Sequence, residues 1–155
     1  MQIHIPGQGS LQINHLVLDF NGTIALDGKL VYGVRERLFD LEKLYNIHVL
    51  TADSNGSAAE ECKGLPVTLH MIAKDNQREE KRNFIGDISS EGVAVMGNGI
   101  NDELMFRHAD LSIAIVGKEG CATATLMASH IVVHDVRDGL DLLLKHNRLI
   151  PTLRK

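Results

Sequence analysis

Leu16-Val17-Leu18-Asp19-Phe20-Asn21-Gly22-Thr23 and Val93-Ala94-Val95-Met96-Gly97-Asn98-Gly99-Ile100-Asn101-Asp102 follow one pattern. In each, a short apolar run gives way at once to a loop of acid, amide and glycine. Apolar runs of this length, without strict alternation, are what strands covered on both faces look like. Each loop therefore sits where a buried strand ends. Two acid- and amide-bearing loops at strand ends can build one phosphate and magnesium site.

Outward from these two stretches, short apolar runs alternate with helical patterns. The expected strands are 15–20, 47–51, 67–72, 93–97, 112–116 and 131–134. Val34, Leu38, Leu41 and Tyr45 share one face of a helix from about 34 to 45. A second helix spans about 77 to 88 with Phe84, Ile85 and Ile88 inward. Asp102 to His108 is short, Cys121 to Ala128 is small and apolar, and Val136, Leu140, Leu143 and Leu144 mark a last amphipathic helix. This alternation predicts an α/β protein, a three-layer Rossmann-like fold with a central parallel sheet. Gln2-Ile3-His4-Ile5 and Leu11-Gln12-Ile13 flank the turn chemistry of Pro6-Gly7-Gln8-Gly9 and predict an N-terminal hairpin. With no linker or repeat visible, residues 1–155 read as one domain, a hairpin at 1–14 and a core at 15–146. The hairpin is either an interface or an extension of the sheet.

Composition narrows the function classes. The chain has 155 residues, 44% hydrophobic and 23% charged, as expected of a soluble globular protein. The net charge of −4 and the lack of a long basic cluster argue against nucleic acid or an anionic membrane as a partner. The basic end, Arg148 to Lys155, reads as a solvated tail. Cys62 and Cys121 are far apart, with no CxxC and no histidine at zinc spacing. No apolar stretch approaches the ~18 residues that span a bilayer, and no secretory signal is visible, so the cytoplasm is the expected location. The eight histidines show no HxxxH spacing, and His70, His108, His130 and His134 read as core-edge or surface residues. No GxSxG, Walker A or GxGxxG motif occurs.

Asp19 is the sharpest chemical candidate. A carboxylate at the end of a strand, followed by Gly22 and Thr23, can attack phosphorus while backbone N–H groups of the turn hold phosphoryl oxygens; the same residues also make an ordinary Asp-x-Asn-Gly turn. Thr51, ending the next strand, offers a hydroxyl. Asp53, Ser54 and Asn55 read as a turn and cap for the helix after it. Lys81 or Lys74 can neutralise a phosphoryl group. Asn98 and Asp102 face the site from the second loop, where Gly97 and Gly99 let the backbone bend close to a ligand. Asp102 also suits a helix start.

The ordered set Asp19-Phe20-Asn21-Gly22-Thr23, Thr51, Lys81 and Gly97-Asn98-Gly99-Ile100-Asn101-Asp102 resembles the haloacid dehalogenase superfamily, over roughly 15 to 145. Gly97 to Val116, with Ile131-Val132-Val133, looks most like the phosphorylation domain of P-type cation ATPases. Asp27-Gly28-Lys29-Leu30 is similar to capless sugar-phosphate phosphatases. The resemblance implies a magnesium-dependent, capless phosphatase acting through an aspartyl phosphate. Asp19 would be nucleophile and metal ligand, the Asn21 carbonyl, Asn98 and Asp102 further ligands, and Thr51 and Lys81 phosphate-binding groups. Phe20, Gly22, Thr23 and Gly99 would complete the phosphate contacts. The intervals from Asp19 to Thr51 and from Thr51 to Lys81 are too short for a cap, so the site should be open unless a second copy covers it. A phosphorylated small molecule or protein is the expected substrate. Asn21 stands where such phosphatases carry the general acid/base, whose loss costs ~10²–10⁴-fold. Asn98 replaces a second carboxylate. The alternative is a catalytically weak phosphate- and metal-binding regulatory module.

Overall fold

The computed structural model describes residues 1–53 and 56–155. Its centre is a six-stranded, wholly parallel sheet. Naming all strands in chain order, these are β1 (Gln2–Ile5), β2 (Gly9–Gln12), β3 (His15–Asp19), β4 (Ala25–Leu26), β5 (Lys29–Leu30), β6 (Asn46–Thr51), β7 (Thr68–Met71), β8 (Val93–Gly97), β9 (Leu111–Ile115) and β10 (Ile131–Val133). The sheet order is β10-β9-β8-β3-β6-β7. All six expected sheet strands are present, within a residue or two at each end.

The helices are α1 (Val34–Leu41), α2 (Ser57–Cys62), α3 (Gln77–Ile88), α4 (Glu103–His108), α5 (Thr123–Met127), α6 (Val136–Leu144) and α7 (His146–Leu153). They cover both faces of the sheet. Alternate side chains of a strand point to opposite faces, so β3 feeds two cores. Leu16 and Leu18 join Leu38 and Leu41 of α1 and Leu140 and Leu143 of α6. Val17 joins Ile85 of α3 and Met105 and Phe106 of α4 on the other side. This double coverage is why the central strands read as continuous apolar runs. On α3 the expected Ile85 is buried and Phe84 and Ile88 pack partly, but the other buried residue is Lys81.

From β3 the chain moves through β6 and β7 to one edge, while β8, β9 and β10 lie on the opposite side. The order thus reverses between β3 and β8, and their carboxyl ends flank a crevice, the place where open parallel sheets bind ligands. Between β3 and α1 stands the small hairpin β4–β5, whose two-residue strands are too short to show a period.

One open alternative closes and one expectation needs correction. The N-terminal hairpin β1–β2 forms and buries Ile3 and Ile5, but as a separate two-stranded sheet that does not extend the central one. The basic end is no solvated tail. It is α7, which buries Leu149 and runs back to the hairpin, where the Lys155 N–H donates to the Pro6 carbonyl at 3.1 Å and the Gln8 side-chain amide donates to the Leu153 carbonyl. Pro151 inside the helix and the run of basic residues concealed it. Among the described residues no helix is long and apolar enough to cross a membrane.

Because α7 is part of the core, Leu149→Ala is expected to destabilise the protein by about 2–4 kcal/mol in urea unfolding, the range for a fully buried leucine. A loss under about 0.5 kcal/mol would return the segment to the surface.

Candidate active site

Asp19 closes β3 and projects into the crevice beside β8. Its two oxygens are already directed: Oδ1 accepts from Lys81 Nζ at 2.9 Å and Oδ2 accepts from the Thr23 hydroxyl at 3.1 Å. Lys81 comes from α3 and is 1% exposed. Its ammonium spends all three donors, on Asp19, on Asp102 Oδ1 at 2.7 Å and on Asn101 Oδ1 at 3.0 Å. Lys81, not Lys74, is therefore the lysine at this centre. Lys74 is exposed, in a short turn before α3.

Asp102 is fully buried. Its Oδ2 accepts the backbone N–H groups of Asn98 and Gly99, both at 3.0 Å, so the carboxylate holds the second loop in shape while it holds Lys81. Gly97 must be glycine for this geometry, because a Cβ there would lie 2.4 Å from Asp102 Oδ2. Asn98 ties three loops together. Its Oδ1 lies 3.3 Å from the Thr23 hydroxyl and shares that one proton with Asp19 Oδ2, its Nδ2 donates to the Gly120 carbonyl at 3.3 Å, and its backbone carbonyl accepts from Ala122 N–H at 2.8 Å. Gly22, at φ +79°, lets that amide approach, since a Cβ would meet Asn98 Nδ2 at 2.5 Å.

The electrostatics follow from burial. Burial and the neighbouring Asp19 charge raise the Asp102 carboxyl, Lys81 opposes them, and the result is a group pushed up to about 6. Burial alone would lower Lys81, but Asp19 and Asp102 outweigh it and hold the ammonium charged, well above its ordinary range.

A cleft of about 320 Å³ opens above this centre, lined by Asp19, Asn21, Thr51, Asp53, Asn98 and Asn101 among others. Thr51 is buried, and its oxygen accepts from the Asp53 N–H at 3.1 Å, which leaves the hydroxyl proton to donate. Asp53 Oδ2 accepts from the Ala58 N–H at 2.7 Å and so supports the start of α2, as a cap should. The other two residues read as that turn, Ser54 and Asn55, lie outside the described residues. Asn21 is exposed at the rim. The turn residues expected to contact phosphate have N–H partners within the chain. The Gly22 N–H donates to the Ala25 carbonyl at 2.8 Å, the Thr23 N–H to the Phe20 carbonyl at 3.2 Å, and the Gly99 N–H to Asp102. The Phe20 side chain is wholly in the core. Sequence reading gave no role at the site to Gln77 or, though it lies in the second loop, to Asn101. Asn101 donates to Gln77 Oε1 at 3.0 Å, and Gln77 stands one turn before Lys81 on α3, a spacing that marks the same helical face.

No known family profile matches the chain. Two curated proteins of Methanocaldococcus jannaschii do. Uncharacterized protein MJ0073 is 50% identical over 62 residues, 40% of this chain and 67% of that protein. Uncharacterized protein MJ0072 is 50% identical over 40 residues, 26% of this chain and 91% of that protein. This chain belongs to their family. Among solved structures, the cobalt-bound deoxy-D-mannose-octulosonate 8-phosphate phosphatase of Haemophilus influenzae superposes with a TM-score of 0.68, at 14% identity over 86% of this chain and 88% of that one. The Moraxella catarrhalis 3-deoxy-D-manno-octulosonate 8-phosphate phosphatase, in complex with magnesium, phosphate and KDO, gives 0.64 at 18% identity over 92% and 94%. The catalytic domain of the CPx-ATPase CopB-B gives 0.62 at 21% identity over 74% and 45%.

The chain has the haloacid dehalogenase fold. Within that fold the Asp19–Lys81–Asp102 centre lies at the carboxyl edge of β3 and β8.

Removing Lys81 leaves two buried carboxylates facing each other. Lys81→Met is expected to cost about 3–5 kcal/mol at pH 7. The loss should be smaller at pH 5. The Asp102 carboxyl already binds its proton more tightly in the folded chain than in the unfolded one, so acid stabilises the folded state through this group. Urea midpoints of the variant at both pH values test this, and a loss that grows on acidification contradicts it.

Proposed function

We propose that the protein is a magnesium-dependent phosphohydrolase that forms an aspartyl phosphate on Asp19. The observation that carries this reading is the seat of Asp19: a strand-end carboxylate facing a polar cleft, both oxygens oriented, with a buried lysine ammonium 2.9 Å away. A nucleophile so held is near its attack geometry before substrate arrives.

The residues fit a hard divalent cation, because the donors near the cleft are oxygens: the Asp19 carboxylate, the Asn21 carbonyl and Asn98 Oδ1. Asp102 is a poorer direct ligand, since both of its oxygens accept hydrogen bonds from Lys81 and the loop. When bound, magnesium would neutralise phosphoryl charge and orient the transferring group. Asp19 attacks phosphorus and the ester P–O bond breaks. The Thr51 hydroxyl can donate to a phosphoryl oxygen, while the Lys81 ammonium, its three N–H groups held by Asp19, Asp102 and Asn101, offsets the developing charge through its field alone. The leaving oxygen takes its proton from water, because the Asn21 amide can donate a hydrogen bond but cannot give up a proton. Water then attacks the aspartyl phosphate, the bond to Asp19 breaks, and phosphate leaves. The substrate is a phosphate monoester that reaches an uncapped cleft.

Asn21 also supports a second reading, in which the phosphorylated or phosphate-bound form persists and regulates a partner. The two separate on turnover. A phosphate-ester panel with Mg²⁺ should show hydrolysis that EDTA and Asp19→Asn abolish, and Asn21→Asp should raise it by ~10²–10⁴-fold. A stable mass adduct after acetyl phosphate, with no turnover, selects the regulatory reading. Hydrolysis unchanged in Asp19→Asn sinks both.

A further inference from the structure

His15, His48 and His70 stand on three adjacent strands, β3, β6 and β7, on the sheet face that α3 covers. His15 Nδ1 lies 3.0 Å from His48 Nε2, and His48 Nδ1 lies 3.1 Å from His70 Nε2. At the outer end His15 Nε2 lies 2.8 Å from Glu91 Oε2. Phe84 of α3 packs over the row, its ring centre 5.2 Å from His48 and 4.6 Å from His70. Among the described residues, Glu91 is the charged group whose contact with the rings is seen. Lys81 is turned to Asp19 and Asp102, Arg78 to Glu103, and Glu80 to the Ala73 N–H. Glu79 and Asp87 are exposed, and Arg82 lies on the opposite flank of α3 from Phe84.

Hydrogen-bond counting limits what this row can hold. Each ring–ring contact needs one N–H facing one lone pair. Three neutral imidazoles bring three N–H groups: one fills each contact and the third sits at an end, where Glu91 draws it to His15 Nε2. A fourth proton fits on His70 Nδ1 with both contacts intact. By shifting protons within the contacts, the charge can then move to His48 or to His15 beside Glu91. A fifth proton would set two N–H groups face to face and break a contact.

We propose that the row is a one-proton site, shared by His15, His48 and His70 with Glu91 as counter-charge, and that a second proton opens it and loosens α3. Burial, then the charges of His15 and His70, push His48 down to about 4, and burial lowers His70. The consequence reaches the crevice through α3, because Phe84 lies one turn from Lys81. The inference stands whether or not the chain hydrolyses phosphate.

The sign is fixed by the proton count. Unfolded histidines each take a proton near pH 6.5, so below that pH the unfolded chain binds more protons than the row does. Stability from this element is present above pH 6.5 and falls as the pH drops toward 4. The test is a ¹⁵N-histidine titration of the full chain from pH 8 to 4.5. We expect the three rings to shift together with one midpoint and one proton taken up, and the Phe84 ring signals to move only when a second proton enters. Glu91→Gln, at an exposed position, should lower the shared midpoint by half a unit or more with the fold intact. Three independent midpoints, two protons bound with Phe84 unmoved, or a midpoint unaffected by Glu91→Gln would each overturn the proposal.

Discussion

Everything at the carboxyl end of the sheet depends on one ammonium group between two carboxylates. Lys81 Nζ is 2.9 Å from Asp19 and 2.7 Å from Asp102. Burying any of the three alone would be costly, because an unpaired ion in the interior forfeits its hydration. Together they are satisfied, and the arrangement joins three distant pieces of chain: the end of β3, the first turns of α3 and the loop after β8. The loop is shaped by the same carboxylate, since Asp102 uses its second oxygen to gather the Asn98 and Gly99 N–H groups. Capping and ion pairing are thus one interaction here, not two alternatives.

That dependence explains which parts were legible in the sequence. The central strands declared themselves because both of their faces are covered, which forces continuous apolar runs. The two loops stood out because acid, amide and glycine follow those runs at once. The order of Asp19, Thr51, Lys81 and Asp102 then gave a resemblance that the fold bears out. Structure was missed where local chemistry was weak or misleading. Strands β4 and β5 have two residues each, too few to show a period. Helix α7 contains Pro151 and a basic surface, so its one buried leucine did not outweigh its polar appearance.

The histidine row marks a different kind of limit. His15, His48 and His70 are separated by long stretches of chain, and no spacing rule connects them. Strand register alone makes them neighbours: His48 pairs with Val17 and His70 with Leu50, which sets all three rings on one face in a diagonal. Reading each histidine singly could only assign it to the core edge or the surface. Their meaning is collective, because an imidazole between two others must be donor to one and acceptor to the other. Placing such a row under α3 ties the proton affinity of one part of the sheet to the helix that delivers Lys81.

The amides at 21 and 98 have unequal consequences. Asn98 is woven into the scaffold: its Nδ2 donates to the Gly120 carbonyl, a contact that a carboxylate oxygen at the same place would turn into repulsion between two acceptors. The chain has therefore adapted its third loop to an amide there. Asn21 is exposed, and no side-chain contact among the described residues depends on it. An aspartate at 21 would disturb little, whereas an aspartate at 98 would have to displace the loop or recruit a cation to quiet the clash. On the proposed reaction, the amide at 98 belongs to the architecture that holds the nucleophile, and the amide at 21 governs how quickly its phosphoryl group is released.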